Sequence, residues 1–241
     1  MFQFLELSIF NNPAYEEVLD RTKNGEKLLD LGCGIGQDIR KLVRPPPNLV
    51  SPNLVSVVAL TSLQIYSGVP QSSLHASDLD QSFWDVGKKF FRDTATLRVP
   101  FIAADVFDPD SPLKAYNGTF DIIHAASFLH LFSWNRQVQV IVDVFVPLLK
   151  PAPGSLVVGW QIGTPKGGDY PFPGPGSSTN RSFRHDSETW ERLWRLVGEK
   201  TGTRWDAKQW TAKPKMVFEE DLTELPDGQD FLTQTFVVRR L

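Results

Sequence analysis

Short apolar runs recur along the chain at 28–31, 74–78, 99–104, 120–125 and 154–161. Each has the length of a strand and lacks polar alternation, as a strand covered on both faces does. Between them, apolar residues return with helical spacing at 13–22, 37–43, 83–91, 137–149 and 187–201. Two more strands are predicted near 204–210 and 230–239. Strand and helix alternate, which predicts an α/β fold with a parallel sheet and helices on both faces.

Pro45-Pro46-Pro47 must end the helix begun at Gln37, because proline has no N–H to continue it. Pro47-Asn-Leu-Val-Ser is then repeated at once as Pro52-Asn-Leu-Val-Ser. This tandem pentapeptide marks an insertion over 45–66, with a short helix expected at 57–67. Residues 163–180 are rich in Gly, Pro and Ser and read as a long loop after the fifth strand. That is the edge of a parallel sheet where ligands sit.

Composition narrows the class. A chain of 241 residues with 41% hydrophobic content and seven Trp suits one packed domain spanning 1–241. A net charge of −3 leaves no basic footprint for nucleic acid. Cys33 is the lone cysteine, so no internal disulfide forms; inside its glycine turn it reads as a small filler. The four His are scattered, and no metal site is expected. The N-terminus lacks a basic stretch followed by an apolar one, so no leader is read there. The most apolar span, 54–69, is broken by Ser, Thr, Gln and Gly and is too short for a membrane helix. The expectation is a soluble cytoplasmic protein, monomer or homodimer, without a membrane span.

Candidate chemistry is densest at Leu28-Leu-Asp-Leu-Gly-Cys-Gly-Ile-Gly36. A strand, a turn with glycines at Gly32, Gly34 and Gly36, and a helix open a doubly wound nucleotide-binding sheet. Dinucleotide sites favour G-x-G-x-x-G. Here the third glycine comes one position early, and Gln37 stands where that pattern wants Gly or Ala. Asp30 is awkward beside a diphosphate but suits a ligand carrying an ammonium group. S-adenosylmethionine has an ammonium, a sulfonium and no phosphate. The D-x-G-x-G-x-G arrangement resembles motif I of the class I S-adenosylmethionine-dependent methyltransferases.

Acids close three predicted strand ends: Asp30, Asp78 and Asp105. On S-adenosylmethionine, Asp30 would face the ammonium, Asp78 the ribose hydroxyls and Asp105 the adenine amine, with the Val106 amide on a ring nitrogen. Asp78 lies further from the glycine turn than a dinucleotide fingerprint expects, and the insertion accounts for the excess. His124-Ala-Ala-Ser-Phe-Leu-His130 follows the fourth strand. In class I methyltransferases this region borders the methionine moiety and the acceptor. His124 is therefore expected to contact cofactor and His130 to face the acceptor, as a base or an orienting group.

From Asn24 onward the resemblance sharpens. Gly25–Val43 is followed by Ala76-Ser-Asp-Leu, Phe83-Trp-Asp-Val-Gly, Phe91-Arg-Asp and Phe101-Ile-Ala-Ala-Asp-Val-Phe-Asp. Phe128-Leu-His-Leu-Phe-Ser-Trp, Gln137 and Phe183-Arg-His come next. Together they resemble the small fungal methyltransferases of secondary-metabolite clusters that modify meroterpenoids and polyketide pyrones. The resemblance implies a Rossmann-like class I fold with a seven-stranded sheet. It also implies O-methylation of a carboxyl or enolic hydroxyl on a hydrophobic small molecule, and cofactor contacts at Asp78-Leu79, Asp105-Val106 and near Ala125. Two departures stand out: a short segment before the motif, and the insertion at 45–66. The alternatives are a non-catalytic binding protein with this fold, and an NAD-dependent reductase, against which Gln37, Asp30 and the missing Tyr-x-x-x-Lys pair count.

Overall fold

The computed structural model describes residues 8–43, 67–171, 181–213 and 231–241. The expected insertion at 45–66 lies outside the described residues, as does all but the last residue of the helix expected at 57–67. Helix α1 (Tyr15–Lys23) leads into β1 (Leu28–Leu31), then α2 (Gln37–Leu42). β2 (Leu74–Asp78), α3 (Gln81–Phe90), β3 (Phe101–Ala103) and β4 (Ile122–Ala126) follow. α4 (Trp134–Val140) runs through a wide π turn at Ile141–Phe145 into a last turn at Val146–Leu148. Pro147 lacks the N–H and crowds the turn behind it, and the widened ladder accommodates that.

β5 (Leu156–Gly163), β8 (Trp205–Ala212) and β9 (Leu232–Arg240) complete a seven-stranded sheet ordered β3-β2-β1-β4-β5-β9-β8. The first five strands pair in parallel; β9 runs antiparallel to both β5 and β8. The expected seven-stranded, mostly parallel sheet is present. Strand order reverses between β1 and β4, and in such sheets ligands bind beyond the carboxyl ends at that switch point.

β1 is buried along its whole length, which explains its unbroken apolar character and makes Asp30 the exception. One core lies against α4 and α5 (Ser187–Thr201); the other lies against α1, α2 and α3. In α5 the residues Trp190, Leu193, Trp194 and Val197 are all buried, a one-face helical spacing. Its start is set by a capping box between Asp186 and Thr189.

The loop expected over 163–180 is corrected in part. Gly168–Pro171 (β6) pairs antiparallel with Arg181–Arg184 (β7), and residues 172–180 lie outside the described residues. Gln137 ties this hairpin to α4. Its side-chain amide donates to the carbonyls of Phe132 (3.0 Å) and Phe183 (2.8 Å), and its oxygen meets His185 Nε2 at 2.9 Å. No helix among the described residues is long and apolar enough to cross a membrane.

Candidate cofactor site

Backbone bonds across the sheet hold the glycine turn at the end of β1. The Gly32 and Cys33 amides both donate to the Ser77 carbonyl of β2, at 2.9 and 3.1 Å. Asp78 then clamps the turn: one oxygen accepts from the Gly34 amide at 2.7 Å, the other from Leu79 at 2.8 Å. Gly34 has φ +54°, and a Cβ placed there meets nothing within 4 Å. Gly36 has φ +74°, but its Cβ would lie 2.4 Å from the Trp84 ring. One glycine leaves backbone bare to a ligand; the other lets α3 pack.

The turn borders a cavity of about 250 Å³ lined also by Ser8, Asp30, Asp38, Ser127 and Trp160. Ser127, just past β4, holds φ +51°, a left-handed conformation that costs a non-glycine residue about 1–2 kcal/mol. Strain of this kind concentrates at functional sites. The Cys33 thiol beside it is pushed well up by burial and by the charges of Asp30 and Asp78, so it stays protonated.

A polar chain, buried except for the half-buried Ser8, runs along one side of the cavity. Asp30 Oδ1 lies 2.8 Å from His124 Nδ1, and His124 Nε2 lies 3.1 Å from Ser8 Oγ. Ser8 Oγ lies 2.6 Å from Asp38 Oδ2, and the Ile9 amide donates to Asp38 Oδ1 at 3.0 Å. Burial pulls the His124 pKa down, but the attraction of Asp30 and Asp38 outweighs it, and the net shift is upward. Burial pushes Asp38 up, against the opposing pull of His124. Two carboxylates and one imidazole make the floor of this cavity negative. A cationic amine fits it; a diphosphate does not.

The structure sorts the residues singled out from the sequence. Asp30, Gly32 and Gly34 line the cavity, and Asp78 shapes its turn. His124 is fully buried, its ring held between Asp30 and Ser8, and is not among the residues lining the cavity. Ala125 is buried too, its carbonyl pressed so close to Gly159 that a Cβ there would sit 2.1 Å away. Leu79 is 69% exposed. Asp105 is exposed and caps its own loop by accepting from the Phe107 amide at 2.8 Å. Val106 lines a separate cavity of about 460 Å³ with Leu113, Val142 and Pro147. That larger space shares no lining residue with the cavity at β1. Gly36 packs on Trp84 instead of facing the cavity.

His130 is not among the residues lining this cavity. It is buried in a short turn (Leu129–Leu131), where burial and the Arg184 charge push its pKa down to about 4. It is therefore neutral at pH 7 and a weak base. Sequence reasoning missed Ser8, Asp38, Ser127 and Trp160. Only Asp38, directly after the motif, carried a local signal, and an acid in a first helical turn reads equally as dipole compensation.

No protein-family model matches the chain. Among curated proteins it is 39% identical to the fungal O-methyltransferase phiE (Fungal sp.), covering 98% of the chain and 72% of that protein. It is 34% identical to methyltransferase trt5 of Aspergillus terreus, covering 90% and 69%. It is 33% identical to the asnovolin E/chermesin D methyltransferase nvfJ of Aspergillus novofumigatus, again covering 90% and 69%. Among solved structures it resembles a Haemonchus contortus phosphoethanolamine N-methyltransferase 2 in complex with S-adenosylhomocysteine, at TM-score 0.53 and 15% identity. That match covers 93% of the chain and about half, 51%, of the larger protein. The methyltransferase domain of a bacterial CtHen1 matches at TM-score 0.50 and 15% identity, over 94% of the chain and 95% of that domain. Identities this low speak to the fold alone.

Proposed function

The chain belongs to the fungal S-adenosylmethionine-dependent O-methyltransferases of secondary metabolism, and from that premise we propose that it methylates a carboxyl or enolic oxygen of a hydrophobic small molecule. The observation that carries the reading is the junction of a cavity-lining, buried carboxylate, Asp30, with the bare backbone of Gly34 at the sheet's switch point.

When bound, S-adenosylmethionine supplies an activated methyl group on a sulfonium sulfur. Asp30 would hold its ammonium. Asp78 would accept from ribose hydroxyls: each carboxylate oxygen has two lone pairs, and the Gly34 and Leu79 amides take one apiece. Leu79, Asp105 and Val106 would border the adenosine.

Acceptor chemistry follows from ionisation and surface. A carboxylic acid is already ionised at pH 7 and needs no base, which suits a protein whose nearest histidines are buried. Phe128, in contact with Gly32, is joined edge-on to Phe132 (5.2 Å), and Phe132 to Phe107 (5.1 Å). These half-buried rings form an apolar wall running outward from the turn. Such a wall suits a hydrophobic acceptor and excludes water. The relative nvfJ is named as an asnovolin E/chermesin D methyltransferase, which supports a secondary-metabolite acceptor here as well.

The test is calorimetric titration with S-adenosylhomocysteine, with NAD as control, followed by methyl transfer to a panel of hydrophobic carboxylic acids and enols. Binding of the first ligand and transfer to an oxygen is the expected result. NAD binding in its place would overturn the cofactor, and cofactor binding without transfer to any member would favour the binding-protein alternative.

A further inference from the structure

Side-chain bonds link Asp30, His124, Ser8 and Asp38 in series, and their protons can be counted. Three junctions require three protons. A neutral imidazole brings one and the Ser8 hydroxyl a second. Two ionised carboxylates bring none. With Asp38 ionised, the Ser8 proton goes to it in a charge-assisted O–H···O⁻ contact of 2.6 Å, and Asp38 Oδ1 is already taken by the Ile9 amide; the alternative, the extra proton on Asp38, meets the same count and is the neutral-His124 outcome of the test below. His124 Nε2 must then donate to Ser8. The 2.8 Å contact to Asp30 requires that Nδ1 donate as well, within the range of an N⁺–H···O⁻ bond. The ring carries both protons.

We propose that these four residues form one buried unit that holds a shared extra proton on His124, and that this unit is the cofactor-amine subsite, positioning Asp30 for the ammonium and linking its binding to release of that proton. The cofactor half of this statement rests on the reading above. The charged groups facing His124 are Asp30 from β1 and Asp38 from α2; the residue paired with it on β5 is the apolar Val158. With the proton the unit has net charge −1; without it, −2. A cation arriving at Asp30 repels the shared proton, which leaves to buffer. Affinity for the ammonium therefore rises as pH rises through the pKa of the unit. The upward shifts of His124 and Asp38 agree with a proton held tightly. His124 is a positioning residue: it touches Asp30 and not the reacting atoms.

Asp38→Asn separates this unit from a merely structural one. An asparagine amide can donate to Ser8 and its oxygen can still accept from Ile9. Ser8 then donates to a neutral His124, so every bond survives without the extra proton. In ligand-free protein, ¹⁵N-histidine NMR should find His124 doubly protonated at pH 7 in wild type, titrating above the other three histidines, and neutral in Asp38→Asn. A neutral His124 in wild type, or an unchanged titration in the variant, overturns the proposal. With S-adenosylhomocysteine, calorimetry in two buffers of different ionisation enthalpy should show proton release for wild type and none for Asp38→Asn. Binding without release in wild type overturns the link to the ammonium, and that measurement stands alone if the variant fails to fold. Absence of binding beside the expected ligand-free NMR result would instead overturn the cofactor reading and leave the proton unit standing.

Discussion

Gly34→Ala and Gly36→Ala add the same methyl group two residues apart, and the structure predicts that they fail differently. At Gly36 the new Cβ would sit 2.4 Å from Trp84 Cζ3 and 2.8 Å from an Arg40 nitrogen. Trp84 cannot step back. It is 1% exposed and stacked on Phe101 at 5.3 Å. Overpacking costs about 1–3 kcal/mol, and the left-handed backbone at φ +74° adds about 1–2 kcal/mol. Together they remove about 2–5 kcal/mol, a large share of the roughly 5–15 kcal/mol that holds a domain folded. At Gly34 the Cβ meets nothing within 4 Å, so only the backbone term applies, about 1–2 kcal/mol. That methyl instead occupies open space at a residue that lines the cavity. Urea unfolding followed by tryptophan fluorescence reads the first quantity, and calorimetry with S-adenosylhomocysteine the second. Gly34→Ala should stay folded and lose about tenfold or more in affinity, the equivalent of roughly 1.4 kcal/mol. Gly36→Ala should chiefly lose stability. Wild-type affinity in folded Gly34→Ala would refute the placement of the cofactor along this turn. Wild-type stability in Gly36→Ala would refute the packing role of that glycine.

Three further outcomes follow from the same structure. Asp78→Asn leaves one acceptor oxygen where two served the Gly34 and Leu79 amides, which should cost about 1–3 kcal/mol in urea and weaken cofactor binding; an unchanged midpoint would count against the clamp. His130 and His185 are held neutral, with pKa pushed down chiefly by burial to about 4 and about 3. The unfolded chain takes up these protons near 6.5, so the stability they confer is complete above that pH and is lost as pH falls. At pH 5 the loss should be about 2 kcal/mol per histidine, read as a drop in urea midpoint from pH 7. His124, with its raised pKa, contributes stability that is already complete below about 6.5 and is lost only as pH rises above it, so it does not offset this. Gln137→Leu breaks three hydrogen bonds, two of them buried, and should cost about 2–4 kcal/mol, with faster amide exchange at Phe183; a midpoint and exchange rate like wild type would refute the tie between α4 and the hairpin.

Gln137 and Phe183-Arg-His were distinctive in the sequence only as parts of a resemblance. The structure supplies their reason: Gln137 spans from α4 to Phe183 and His185 across 46 and 48 positions of chain. No local pattern announces such a bond. The π turn before Pro147 was equally invisible, because apolar spacing over 137–149 reads the same through a widened turn. β6 escaped because Gly, Pro and Ser dominate residues 163–180, and β7, just beyond that segment, is only four residues long.

What the sequence determined by itself was whatever depends on near neighbours. The period of apolar residues settled which segments are strands and which helices, and their alternation settled a parallel sheet. The glycine spacing with Asp30 picked out the turn that lines a cavity at the sheet's switch point. Tertiary structure alone decided how the site is charged. Asp30 and His124 are 94 positions apart, and Ser8 and His124 116 apart, yet the sheet's reversal between β1 and β4 brings them into one buried chain. It also buried His124 between Asp30 and Ser8, and His130 in the interior. A strand's period assigns faces, whereas burial and hydrogen-bond partners depend on what is packed across them.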